Sequence, residues 1–284
     1  MKKRLSWLLL LFIWLISLNV YAQRLPKLGM VSSIDQDSLL YASGFRLIGE
    51  SVSKMLSPNL SEAQFQENLK QLKQTKCKVY VCNILFPGSM KITGPDVNEQ
   101  RILPYVDSVF SRAHQADIPV IVLGSSGSRR IPKGYDNEKA KADFVNLCRK
   151  MAEVAKKHKI TIAIENLNKG ETNFLNTLAE VTEVVTKVNH PNFRVNADIY
   201  HMLKENESPL QIQDAGKLIV HVEIAEREIR SMPGVMGDDF RPYLKALKTI
   251  KYKGPIIIEA KVTDPVKEIP LSYQYLINQL QEVF

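Results

Sequence analysis

The sequence predicts a single (β/α)8 barrel, and three observations carry the prediction. Strand-like and helix-like segments alternate from residue 27 to the C-terminus. The strand-like segments are rich in Val, Ile and Leu and mostly lack strict alternation, as strands buried on both faces of a parallel sheet do. Eight such strands, each followed by a helix, in about 260 residues is the arithmetic of a closed barrel. A doubly wound open sheet uses the same alternation, but it carries a Gly-rich turn after its first strand. The stretch Met30-Val31-Ser32-Ser33-Ile34 has none.

Strands are expected at 27–32, 45–50, 77–85, 119–124, 161–166, 193–198, 217–226 and 255–261. Between them the apolar spacing switches to helical. Ser61 with Gln64 resembles a capping box opening a helix through Phe65, Leu69 and Leu72. Phe144, Cys148, Met151 and Ala155 mark one apolar stripe; Leu178, Val181, Val185 and Val188 mark a second; Leu276, Leu280 and Val283 mark a third. Segments 83–100 and 124–137 are long, polar and rich in Gly and Pro, the type of loop that forms a pocket wall or lid. No linker, low-complexity tract or short repeat divides residues 23–284, which form one domain.

The first residues read as a targeting segment. Met1-Lys2-Lys3-Arg4 is a basic start, Trp7 to Leu18 is an apolar run, and Val20-Tyr21-Ala22 supplies the small residue before a cleavage point. A signal peptide over 1–22 makes the protein periplasmic or secreted. The competing reading, a membrane anchor, needs a longer apolar run than this one. Removing Lys2, Lys3 and Arg4 lowers the formal charge from +8 to +5. The remaining basic residues are scattered over helices such as 139–159 rather than grouped with aromatics, which argues against a nucleic-acid partner. Cys77, Cys82 and Cys148 read as small core residues, with Cys77 and Cys82 on opposite faces of one strand, so no disulfide is expected.

The chemistry lies where four apolar runs end. ITIAIEN reaches Glu165, FRVNADI reaches Asp198, LIVHVEIAE carries His221 and Glu223, and GPIIIEAK reaches Glu259. Strand ends of a closed barrel converge on one face, where catalytic groups sit. Four carboxylates there repel one another unless a cation or shared protons compensate. A divalent metal is the economical reading, with Mn²⁺ or Mg²⁺ ahead of Zn²⁺ for a carboxylate-rich set. Salt-bridging to a nearby Lys competes at Glu165, and a satisfied structural histidine competes at His201, three residues after Asp198. His221 and Glu223 are two apart and face the same way. Asn168 follows Glu165, and Lys261 follows Glu259 on the same side. In Ser125-Ser126-Gly127-Ser128-Arg129-Arg130, the arginines either hold a polyol or anion or form a solvated turn. A metal chelating a ketone and its neighbouring hydroxyl acidifies the carbon-bound proton, and Glu residues on either side of that carbon can remove and return it. That chemistry is isomerisation or epimerisation of a sugar through an enediolate.

The chain resembles the sugar phosphate isomerase/epimerase family, the xylose-isomerase-like TIM barrels, most clearly in IENLN, ADIYHM, HVEIAEREIRSMPG, GDDF, LKTIKYKG and IIIEAK. The resemblance implies Glu165, Asp198 and Glu259 as metal ligands, with Glu165 and Glu259 also the acid/base pair. It implies His201 and Arg230 as substrate-binding; Asn168, Lys261 and Arg129 join that set from their positions beside the strand ends and in the polar loop, not from the resemblance. One ligand departs from the pattern: members often read His-Ile-x-Glu before that Arg, and Glu223 stands at the position of the His, with His221 two residues earlier. Either Glu223 binds the metal with His221 nearby, which is favoured, or His221 substitutes, or the site is impaired. The expected substrate is a free or oxidised sugar or glycoside, since an exported barrel meets these before phosphorylated metabolites. A keto-sugar or keto-inositol dehydratase or lyase is the alternative enzyme, and a non-catalytic sugar-binding barrel the alternative without chemistry. The endonuclease IV branch needs a His-rich cluster that five histidines spread along the chain do not supply. A homo-oligomer is left open.

Overall fold

Each of the eight apolar runs forms a short strand: β1 (Leu28–Val31), β2 (Leu47–Ser51), β3 (Lys78–Asn83), β4 (Val120–Leu123), β5 (Thr161–Glu165), β6 (Phe193–Asp198), β7 (Ile219–Ile224) and β8 (Ile256–Ile258). The computed structural model describes residues 25–284, so the segment read as a signal peptide lies outside the described residues. The strands pair in chain order, all parallel, and β8 pairs with β1 to close the barrel. One outer helix follows each strand: α1 (Asp37–Ser43), α2 (Glu62–Leu72), α3 (Glu99–Gln115), α4 (Asn137–Lys157), α5 (Leu178–Val188), α6 (Leu210–Ala215), α7 (Arg241–Thr249) and α8 (Pro265–Val283). Ser61 and Gln64 form the expected capping box at α2, and Thr177 with Glu180 forms a second at α5. The three predicted stripes are buried against the barrel.

Two apolar bodies result, and the pleat separates them. Ile48, Cys82, Ile121, Ile162 and Ile256 point outward into the core beneath the helices. Their neighbours Leu47, Val81, Val120, Val122, Ala163 and Ile257 point inward and fill the lumen as a second cluster. Gly29 leaves room for that filling: a side chain on it would strike Ile257 and Leu47.

Several expected boundaries shift. Strand β8 stops at Ile258 rather than 261, and β7 begins at Ile219 after a short 3-10 turn over Gly216–Leu218. Cys77 precedes β3 instead of lying on it; all three cysteines are buried and free. No helix among the described residues is long and apolar enough to cross a membrane.

Candidate active site

The four carboxylates predicted from strand ends meet at the C-terminal mouth. Glu165 on β5, Asp198 on β6, Glu223 on β7 and Glu259 just beyond β8 each offer an oxygen within 4.8 Å of the others. Each is placed by its neighbours. Asn166 exchanges two hydrogen bonds with the backbone of Asp198, its Oδ1 accepting from Asp198 N at 3.0 Å and its Nδ2 donating to Asp198 O at 3.1 Å. Asp198 caps the short helix Ile199–Lys204, accepting from the His201 N–H at 3.2 Å, which carries His201 over the mouth. Glu223 accepts from Asn83 Nδ2 at 2.7 Å and from Asn196 Nδ2, and the same Asn83 amide donates to Glu259 at 2.9 Å.

The charges are unbalanced. Burial, then the facing Glu223, Glu259 and Asp198, push the Glu165 carboxyl well above its ordinary range. Burial and Glu223 push Glu259 up to about 8, although Arg230 pairs with it. Burial also raises Glu223, but contacts with His221, Asn83 and Asn196 more than offset it and hold this carboxyl below its usual range. Arg230 is the cation in contact with the set, reaching Glu259 and, at 3.4 Å, Asp198. Burial keeps His201 below its ordinary pKa. Its Nδ1 accepts from the Asn168 N–H at 3.1 Å, which assigns the ring proton to Nε2, 3.4 Å from Glu165 and 3.6 Å from Asp198. Four converging acids against one arginine is a donor set that fits a divalent cation.

Other expected site residues are placed differently. His221 is fully buried one pleat deeper, with Nε2 3.5 Å from Glu223, and lies outside the converging set. Asn168 supports the His201 ring rather than lining the cavity. Arg129, expected to hold a substrate, is fully buried: its guanidinium donates to the carbonyls of Leu123 and Glu165, and burial lowers its pKa to about 10. The small residues around it form a four-residue helix, Ser126–Arg129, that tucks the side chain under the strand ends. Lys261 is exposed, because β8 ends before it and pleat alternation no longer sets its direction; its N–H donates to Arg230 O at 2.8 Å.

A cavity of about 160 Å³ opens beside the carboxylates, lined by Asn83, Ile84, Glu165, Glu171, Arg230 and Glu259 among others. A larger hollow, about 860 Å³, lies at the other end of the barrel against Lys27, Tyr80 and Tyr252, away from every converging acid. The smaller one is lined by members of the converging set, Glu165 and Glu259. Three contributors escaped the sequence reading. Asn83 ends KVYVCN as the acids end their runs, but it carries no charge. Asn196 sits two before Asp198 and so shares its face. Gly124, after β4, is where any side chain would collide with the Glu165 carboxylate.

Four residues beside this cavity have φ in the left-handed region: Ile84 (62°), Ser125 (46°), Ile229 (50°) and Arg230 (56°). Ser231 N donates to Glu228 O at 3.1 Å, so Ile229 and Arg230 are the central pair of a tight turn with positive φ at both positions. Such turns favour Asn-Gly, and each misplaced residue costs about 1–3 kcal/mol.

The family profile described as xylose isomerase-like TIM barrel matches residues 39–279. Among curated proteins, the L-ribulose 3-epimerase of Methylomonas sp. (strain DH-1) is 33% identical over 136 residues, 46% of this chain and 47% of that protein. The ketose 3-epimerase of Arthrobacter globiformis is 33% identical over 102 residues, 36% of this chain and 35% of that protein. These matches therefore span about half or less of the relatives' length. The crystal structure of a 3-keto-D-glucoside 4-epimerase from E. coli superposes with a TM-score of 0.76 at 19% identity, over 89% of this chain and 99% of that one, which shows the shared fold. The profile runs from α1 to α8 through every strand after the first, and the chain belongs to the xylose isomerase-like TIM barrel family.

Proposed function

We propose that the protein is a metal-dependent sugar epimerase or isomerase that moves a proton next to the carbonyl of a ketose or keto-glycoside through an enediolate. The observation that carries this reading is the pair of carboxyls with raised pKa, Glu165 buried on β5 and Glu259 half-buried after β8, approaching one small cavity from different walls. The epimerase relatives support it, as does the family.

Glu165, Asp198, Glu223 and Glu259 would hold the cation, and an all-carboxylate set favours Mn²⁺ or Mg²⁺ over Zn²⁺. Bound there, it would supply Lewis acidity toward the carbonyl and its neighbouring hydroxyl, acidifying the carbon-bound proton. The chain's own groups do the rest. One of Glu165 and Glu259, ionised, takes the proton; the other, protonated, returns one to the opposite face. The reverse reaction uses the pair with roles exchanged, and proton exchange with solvent resets it between forward turnovers. His201 Nε2–H and the Arg230 guanidinium donate to substrate oxygens as negative charge grows on them. The targeting segment supports a periplasmic or secreted setting and a free or oxidised sugar as substrate.

The test is proton exchange. Incubated in ²H₂O with Mn²⁺ and a set of ketoses and keto-glycosides, the protein is expected to place deuterium on the carbon beside the carbonyl of recovered sugar. Accumulation of an elimination product would assign a lyase instead. Neither outcome across the set would leave a sugar-binding barrel and overturn the reading.

A further inference from the structure

The four left-handed residues at the cavity differ in what explains them. Ser125 gains a contact, since its Oγ accepts from the Phe86 N–H at 3.0 Å. Arg230 gains its ion pairs with Glu259 and Asp198. Ile84 and Ile229 gain nothing within the fold. Both are β-branched, the side-chain class least suited to that conformation, and both are exposed, 53% and 72%. Asn or Gly at either place would relieve the backbone and remove apolar surface from water. A residue that is worse for stability on two counts, twice, beside one cavity, points to a ligand.

Topology says where that ligand lies. Ile84 follows β3 and lines the cavity, while Ile229 adjoins Arg230 in the turn after β7. In an eight-stranded barrel β3 and β7 are opposite, so the two isoleucines stand on facing sides of the mouth. At about 160 Å³ the cavity is smaller than the roughly 300–1,000 Å³ that encloses a drug-sized ligand. Only a small sugar fits inside, and anything linked to it must leave between these walls.

We propose that Ile84 and Ile229 form an apolar rim that selects sugars carrying an apolar glycosidic substituent. This rests on the epimerase reading and deepens it from ketoses in general to glycosides with an aryl or alkyl aglycone. The rim packs on the substituent while the carboxylates below act on the ring.

Calorimetry on the Mn²⁺-loaded protein tests it, with an aryl keto-glycoside and the matching methyl keto-glycoside as probes. The parent is expected to bind the aryl probe at least about tenfold more tightly. In Ile84→Asn, Ile229→Asn and the double variant, that ratio falls toward one while each substitution raises Tm by about 2–4 °C. Gly at the same positions serves if an Asn variant does not fold. Equal affinity for the two probes in the parent, no binding of either, or a ratio that survives both substitutions would overturn the proposal. So would dissociation of an oligomer by the same substitutions with the ratio unchanged, which would give the rim to a second copy of the chain. Tighter binding of the aryl probe, lost in the variants but without proton exchange on either probe, would instead count against the epimerase reading and leave the rim standing.

Discussion

The two ends of the barrel lumen are built on opposite principles. At the lower end Leu47, Val81, Val120, Val122, Ala163 and Ile257 pack without a polar atom among their side chains. At the upper end Glu165 and Glu259, one pleat beyond Ala163 and Ile257, converge with Asp198 of β6 and Glu223 of β7, with too few cations to neutralise them. On β5 the change takes one step, from Ala163 to Glu165; on β8 it runs from Ile257 to Glu259. The lower layer supplies stability and can do no chemistry. The upper layer stores repulsion that a cation would relieve, and it depends on the lower layer to hold it in place.

Breaking the upper end at its centre should have the largest effect. Glu165→Gln keeps the shape and removes a base, so solvent exchange into substrate should fall about 10²–10⁴-fold in a rate assay. The same substitution removes one member of a repelling set, and the metal-free variant should melt no lower than the parent at pH 8. Breaking the lower end should invert this pattern. Leu47→Ala should cost about 2–5 kcal/mol by denaturant titration while leaving the number of bound ions unchanged. A substitution between the layers sharpens the contrast. Gly124→Ala should displace the Glu165 carboxylate and slow exchange about 10²-fold with Tm little altered.

The smallest effect is in pH. Glu259 is raised from 4.5 to about 8 in the folded chain, so the folded state holds a proton that the unfolded state releases. Its stabilising effect is full below pH 4.5 and is lost as pH rises toward 8. The metal-free protein should therefore lose a few degrees of Tm across that window. Added Mn²⁺ should raise Tm more at pH 8 than at pH 6, since its ligands must give up their protons.

The lumen also shows what a sequence discloses. An acid at the end of a Val- and Ile-rich run stands out because nothing in a core tolerates it, and so Glu165, Asp198, Glu223 and Glu259 were legible. Asn83 occupies the same kind of position and donates to two of them, but a neutral amide at a strand end is unremarkable until its partners are known. Gly124 matters through what a side chain would strike, which only the folded arrangement defines. Arg129 misleads because a Gly/Ser-rich setting suggests exposure, whereas the loop turns it under the strand ends to bond Leu123 and Glu165 carbonyls. Lys261 misleads because alternation was carried past Ile258, where the strand stops. Pleat arithmetic put His221 and Glu223 on one face but could not say which stood level with the other acids.

That last pair is where the central claim is most exposed. The decisive measurement is Mn²⁺ binding by titration calorimetry to the protein from Gln23 onward, to Glu223→Ala and to His221→Ala. The account predicts one ion per chain in the parent, none in Glu223→Ala, and a full but weaker site in His221→Ala. Binding that survives loss of Glu223 but not of His221, or a parent that takes up neither Mn²⁺, Mg²⁺ nor Zn²⁺, would contradict it.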